Sequence, residues 1–479
     1  MKKNSTTDSK KTLKSIICNV FTSGVTIIVS LISTVVITRI ITVADLGIAS
    51  SFNSLKSILT IICLLSVYIS INRMILDIDG NDYEYLSSIY IFSSLFCIFM
   101  YIIYIIFRSF FNNIFGFDTK MMTLMFSIIF MINGGTILTN YWNFKNKYKL
   151  LFINNLLSSP ISQIISLVLS YVLSSHKYLG RIIGIETFNI IFGLIYGIII
   201  LVKGKFSFNR DYIRKTLHIC IPMIPHLLAQ IMLTSCDLLM IRNIAGNNAA
   251  GVYSMAYTIS NILYLILIQL LMPWSPWVYR RMKNNEIETI EKNSKLLTTL
   301  CWFLCLGLFT ISPEMIKLCL GKEYYEASFI IAPICVGIFF EVMYIYFYDI
   351  EYFYKKNKQI AIFSVIAALL NLLLNYIFIN KFGYKAAAYT TFFSYFVLFV
   401  LHYFEMKRIE KRKIYDVKFI MVMSLILTGI AFIYILTNNN IFVRYSALIF
   451  STVLIFVKNK KILLNIIKNR KLGDVLNDK

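Results

Sequence analysis

Six runs of this chain, Ile16–Ile37, Tyr85–Phe107, Met121–Phe144, Leu150–Ser175, Asn243–Tyr279 and Gln359–Asn380, contain no Asp, Glu, Lys or Arg. Each exceeds the ~18 residues that cross the hydrocarbon core of a bilayer as a helix. Lipid offers backbone groups no water to bond, and a helix satisfies its own. Less regular runs between them bring the expectation to about fourteen spans, near 15–38, 46–72, 85–107, 121–143, 150–174, 180–202, 214–241, 247–277, 296–318, 327–352, 359–380, 384–405, 417–437 and 441–457. The last is the weakest, because Arg444 shortens its apolar stretch. The predicted class is an all-α polytopic membrane protein. Composition agrees: 15% of residues are charged, against about 25% in soluble domains.

The 47 basic residues and the net charge of +23 are explained by where the positive loops fall. "FKNKYK", "KGKFSFNRDYIRK", "YRRMKNNEIETIEKNSK", "YKKNK" and "KRIEKRKIYDVK" all lie on the same side of the fourteen-span chain. Cytoplasmic loops carry the excess of Lys and Arg, so both termini are expected in the cytoplasm. No separate basic domain exists to bind nucleic acid. Trp142, Trp274, Trp277 and Trp302 fall at the same span ends, where amphipathic rings prefer the interface. The first apolar run is long for a cleavable leader and reads as a retained span. The nine cysteines are scattered without a C-x-x-C and read as small free hydrophobes.

Two stretches roughly two hundred residues apart, "TRIITVADLGIASSFNSLKSI" and "IRNIAGNNAAGVYSMAYTISNI", follow one plan. An arginine near a helix end (Arg39, Arg242) precedes a polar break, a glycine (Gly47, Gly251) and a polar-studded apolar helix. "YLGRIIGIET" likewise faces "KFGYKAAAYT", and "NFKNK" faces "YKKNK". Six spans separate equivalent points, and an even number returns the chain to the same side. The repeats are therefore parallel, related by an axis along the membrane normal. The expected organisation is two six-helix lobes around a central cavity, 1–205 and 206–413, with two further spans and a basic tail in 414–479.

With these motifs, and with "IPMIPHLL…SCDLLMIRNIAG…GVYSMAYTI" and "NLLLNYIFINKFGYKAAAYTT", the whole chain resembles Wzx-type polysaccharide flippases. These belong to the MOP superfamily that includes lipid II flippases and MATE multidrug exporters. The resemblance implies a bacterial cytoplasmic membrane protein, a monomer, that moves an undecaprenyl-diphosphate-linked oligosaccharide to the outer leaflet. Capsule or O-antigen assembly would follow, with polysaccharide-assembly proteins such as a polymerase as candidate partners.

A pathway for sugar needs hydrogen-bonding side chains on apolar helices. Ser15, Asn19, Ser23, Thr26, Ser30 and Ser33 fall within about 80° of arc at ~100° per residue. His226, Gln230, Thr234 and Asp237 share a similar arc on the seventh span. The eighth adds Ser254, Tyr257, Thr258, Asn261 and Tyr264, and the second adds Asn53, Lys56, Ser57 and Thr60. The repeat equates Asn53 with Tyr257 and Ser57 with Asn261, so spans 1, 2, 7 and 8 are expected to line one cavity; close packing through small residues is the plainer use of the serines and threonines. Lys56, near the middle of its span, costs roughly 2.5–3.5 kcal/mol to insert. It is expected to hold an anionic headgroup or to pair with Glu186, Asp237 or Glu341. Asp237 is expected to pair locally with Arg242, and Glu186 and Glu341 either pair structurally or take part in proton or cation coupling. Lys14, Arg73, Arg214 and Arg280 or Arg281 cluster at cytoplasmic helix ends as a possible basic mouth. Pro222, Pro225 and Gly246 should bend or break the seventh span.

No P-loop, G-x-G-x-x-G or Cys/His cluster is present in the sequence, so no cofactor or metal is expected. Asp77-x-Asp79 resembles the metal–nucleotide pair of sugar transferases, but its loop is short. A glycan polymerase would be expected to carry a large outer loop, and the longest here are short. The serious competitor is a cation-coupled MATE-like exporter, whose first span commonly carries an acid that this one lacks.

Overall fold

The computed structural model describes residues 24–77, 81–145, 147–437 and 440–453. Lys14, Asn19, Asp79 and the far end of the fourteenth span lie outside them. Twelve described helices are long and apolar enough to cross a membrane. Two shorter apolar helices stand where the first and fourteenth spans are expected. Among the described residues there is no strand.

The first part of the chain forms α1 (Gly24–Ile40), α2 (Val43–Cys63), α3 (Ile71–Asp77), α4 (Asp82–Ile106), α5 (Arg108–Phe115), α6 (Thr119–Phe144), α7 (Tyr148–Val172) and α8 (Lys177–Lys203). The next forms α9 (Arg210–Cys220), α10 (Ile224–Ala245), α11 (Asn247–Leu271), α12 (Trp274–Lys283), α13 (Ile287–Cys319), α14 (Ser328–Phe353), α15 (Asn357–Phe382) and α16 (Ala386–Ile409). α17 (Val417–Leu436) and α18 (Ile441–Val453) complete it.

Polar side chains cap several of these helices. Thr42 and Asp45 form a reciprocal capping box on α2, satisfying first-turn N–H groups that have no helical partner. Asp118 caps α6 through Met121 N at 2.8 Å, and Asn209 caps α9. The seventh span is broken into α9, a 3-10 turn at Ile221–Met223 and α10, where Pro222 and Pro225 lack the N–H that a continuous helix needs. The second and eighth spans break as well, between α2 and α3 and at Pro273 between α11 and α12. In the former, Leu65 and Ser66 take left-handed φ of 50° and 47°.

Within the first part, α8 packs on α2, α4, α6 and α7. Glycines permit that closeness: a Cβ at Gly184 would stand 2.5 Å from Ser166 N, the small-residue packing that lipid-embedded helices favour. In the second part α14 is central, touching α11, α13, α16 and α17, with Phe339, Tyr346, Phe347 and Phe399 fully buried around it. α17 also packs on α13. Arg444 of α18, which shortens the last apolar run, is buried against Glu314 of α13, with Nη1 to Oε2 at 2.8 Å. The tryptophans, expected at the span ends, face protein rather than lipid or water. All four are buried, and Trp302 donates to the Met423 carbonyl at 2.8 Å. Helix-on-helix packing at the span ends covers the rings that a lone helix would leave at the interface.

The two parts meet where α2 runs along α10 and α11. At one end Gly47 lies against the backbone of Asn247 and Gly251. Gly116, at φ +66° beyond α5, faces Asn243 there. At the opposite end α9 docks on α4, with Tyr85 Oη 3.2 Å from Thr216 Oγ1.

Candidate functional site

Directly below the Gly47–Gly251 contact, α1, α2, α8, α10 and α11 enclose a cavity of about 500 Å³. Its wall sets hydroxyl and amide groups among aliphatic side chains such as Leu31, Leu46, Ile185 and Leu265. Thr26 and Ser30 come from α1, Asn53 and Ser57 from α2, Thr234 from α10, and Tyr257 and Asn261 from α11. Asn53 Oδ1 is buried and has no hydrogen-bond partner among the described residues. Such a group is costly to leave dry, by about 1–3 kcal/mol.

Arg181 of α8 is the one charged side chain among the described lining residues. Its Nη1 donates to Gln163 Oε1 at 2.9 Å and Ser166 Oγ at 3.1 Å on α7. Gln163 in turn accepts from Ser33 Oγ of α1 at 2.7 Å. No carboxylate pairs with Arg181 among the described residues, so its remaining fork of donors carries an uncompensated charge into the cavity wall. Gly180 and Gly184 flank it, and both press on α7 too closely for a side chain. They hold the arginine in place.

Lys56 does not line the cavity. It turns to α8, where its ammonium pairs with Glu186 Oε1. Asn189 Nδ2 donates to the other oxygen of Glu186 at 3.2 Å. Of the two uses open to Lys56 in the sequence, the pair with Glu186 is the one present.

Asp237 does not pair with Arg242. Five residues on a helix separate two side chains by about 140°, and Asp237 instead points into the second part of the chain. It accepts from Tyr253 Oη at 2.8 Å, Thr391 Oγ1 at 2.6 Å and Asn375 Nδ2 at 2.6 Å. Arg242 reaches across to the other half, donating to the Gly116 carbonyl at 2.7 Å and lying 3.8 Å above the Phe117 ring. Glu341 lies beside Tyr264 and Tyr395.

His226 and Gln230 also stand off the lining. His226 is half-buried with Nδ1 unpaired among the described residues, and Gln230 is exposed. The arc they share with Thr234 and Asp237 straddles the seam between cavity and helix interior, and only Thr234 falls on the cavity side. Arg73, Arg214 and Arg280 are exposed on α3, α9 and α12. α3 and α9 pack on the same 3-10 turn, Val67–Ser70. Arg181 is the residue that sequence reasoning passed over. Its signal was an arginine between two glycines at the span end opposite the basic loops.

A two-part helical bundle enclosing a polar, solute-sized cavity is a transporter architecture, and comparisons with solved structures agree. The lipid II flippase MurJ in an inward closed conformation superposes with a TM-score of 0.71 at 17% identity, covering 94% of this chain and all of that one (100%). An inward-facing multidrug resistance MATE family transporter of the MOP superfamily gives 0.58 at 12% identity, over 81% of this chain and 96% of the other. A MOP superfamily transporter from Pyrococcus furiosus gives 0.51 at 14%, over 82% and 95%. The fold is that of the MOP superfamily transporters. A search of curated protein sequences returns no match. The family profile described as polysaccharide biosynthesis protein matches residues 36–329, more than half of the chain. The chain belongs to that family.

Proposed function

We propose that this protein is a flippase that carries an undecaprenyl-diphosphate-linked oligosaccharide from the cytoplasmic to the outer leaflet of a bacterial cytoplasmic membrane, for capsule or O-antigen assembly. The observation that carries it is the cavity with one unneutralised guanidinium, walled by hydroxyls and amides together with aliphatic side chains. Arg181 meets the diphosphate, because a planar fork of donors matches phosphate oxygens. Asn53, Tyr257, Asn261 and their neighbours meet the sugar. A volume of about 500 Å³ lies within the ~300–1,000 Å³ of small-molecule sites.

Residues 1–205 and 206–413 act as two lobes that rock about the cavity, with 414–479 attached to the second. Both termini are cytoplasmic, which makes the Gly47 end the outer one. The contact of two repeat-equivalent glycines there supports an outwardly closed state. The lining presents no carboxylate among the described residues, which disfavours an exporter of organic cations.

The test is transport with Arg181 altered. Deleting the gene should trap lipid-linked oligosaccharide on the cytoplasmic face and remove surface polysaccharide. Arg181→Gln, which keeps a polar side chain without the charge, should do the same at unchanged protein level, and Arg181→Lys should keep part of the activity. Normal surface glycan with raised sensitivity to cationic drugs in the deletion strain would replace this reading with the exporter.

A further inference from the structure

The second part of the chain holds a polar pair that the cavity does not use. His402 of α16 and Glu351, in the last turn of α14, are both fully buried, with Nδ1 and Oε1 2.9 Å apart. Their outer atoms, His402 Nε2 and Glu351 Oε2, have no hydrogen-bond partner among the described residues. Rings wall in the imidazole: Tyr344 stacks at 5.2 Å, and Phe363 of α15 stands edge-on at 5.3 Å. The titratable groups facing the pair are Tyr344 and Tyr348 on α14, Glu405 on α16 and His226 on α10. No lysine or arginine among the described residues pairs with Glu351.

With a carboxylate and a neutral imidazole, the pair carries one negative charge away from water. A single added proton brings it to zero, whichever atom holds it, and a low-dielectric interior favours the uncharged total. The surroundings also give that proton a way in. His402, Glu405 and Arg408 share one face of α16, a turn apart. Glu405 is mostly buried, and exposed Arg408 bonds it at 2.6 Å. In the other direction Tyr344 lies one turn from Glu341 on α14. Tyr264 lies beside Glu341, and Tyr257, two turns before Tyr264 on α11, lines the cavity.

We infer that His402 and Glu351 form a proton-binding site, loaded from water at the Arg408 end through Glu405. Loading forms one N–H or O–H bond at the pair and takes one proton from solvent. Proton binding stands whatever solute passes; its use to drive transport rests on the flippase reading.

The full chain, purified in detergent with no substrate, is titrated against a soluble pH indicator between about pH 5 and about pH 8, the range in which histidine sites exchange. Glu351→Gln and His402→Gln should each take up about one proton per chain fewer than wild type at equal monodispersity. Where Glu351 takes the proton, the protonated-carboxyl region of the wild-type infrared spectrum should lose intensity in Glu351→Gln. Glu405→Gln should slow the uptake without reducing its extent. Wild-type uptake by both variants would overturn the site. Should Glu351→Gln fail to fold, the proton uptake of His402→Gln decides alone. A confirmed site in a protein that moves no lipid-linked glycan would leave the proton inference standing and remove the flippase.

Discussion

Gly47 and Gly251, equivalent positions of the internal repeat, touch each other. A Cβ at Gly47 would stand 2.8 Å from Gly251 N, and one at Gly251 would stand 2.7 Å from Val43 Cγ1. Side chains have no room in this crossing, so it closes one end of the cavity by backbone contact. Gly47→Val should therefore force the ends of α2 and α11 apart. In a background without other reactive cysteines, Ser254→Cys in the cavity wall should be labelled several-fold faster by a membrane-impermeant maleimide added outside. Unchanged labelling with Gly47→Val would show that this crossing is not the outer seal.

Arg242 fastens the same end from the side. It bonds the Gly116 carbonyl, lies over Phe117 and also donates to Asn247 Oδ1 at 3.1 Å. A guanidinium over a ring contributes about 0.5–2 kcal/mol, and lysine cannot reproduce its fork. Arg242→Lys should raise outside labelling of the same cavity cysteine less than Gly47→Val does, and Arg242→Ala should raise it further than Arg242→Lys. Equal labelling of both variants and the parent would mean that the latch does not hold the closed state.

The spans and the break in the seventh were legible because they depend on local chemistry. Charge-free runs are long, Pro222 and Pro225 mark the break in the seventh span, and the polar stripes of α1, α2 and α11 lie on one face each, whereas the breaks in the second and eighth spans were not anticipated. What escaped depends on contacts distant in sequence. Arg181 is held by Gln163, 18 residues earlier on another helix. The choice of Glu186 over Asp237 or Glu341 as partner of Lys56 rests on α8 lying against α2. A helical arc gives the shared face of His226, Gln230, Thr234 and Asp237 but not the seam that divides it. The short amphipathic α5 between spans was not anticipated, and neither was the burial of the tryptophans.

Glu410, which closes α16, offers a pH-dependent test outside the membrane-spanning segments. Arg412 donates to it from Nε at 2.8 Å and Nη2 at 2.6 Å, and Tyr354 Oη at 2.7 Å. The Arg412 guanidinium above all, against the cost of burial, holds this carboxyl down to about 2, where glutamate ordinarily titrates near ~4.3. A depressed carboxylate stabilises the fold above its ordinary value, and the gain disappears as pH falls toward the folded one. Glu410→Gln should thus melt earlier than wild type at neutral pH. The difference should persist to about pH 5 and close between about pH 4 and about pH 2. A difference independent of pH would mean that the charge of Glu410 contributes nothing there.

Lys56 and Glu186 make the sharpest stability test. Their side chains are 13% and 4% exposed, so removing one partner strands a charge with little water to compensate it. Breaking a buried pair from one side typically costs about 3–5 kcal/mol, whereas removing both charges is often close to neutral. Lys56→Gln should therefore lower the abundance and melting temperature of the purified protein, and Lys56→Gln with Glu186→Gln should restore most of both. Adding Asp237→Asn or Glu341→Gln to Lys56→Gln should not rescue, since neither acid faces the lysine. If Lys56→Gln alone keeps wild-type stability yet abolishes transport, the lysine leaves Glu186 during the cycle and belongs with Arg181 in binding the diphosphate. If the double variant is stable and transports normally, the pair serves only to hold α2 against α8.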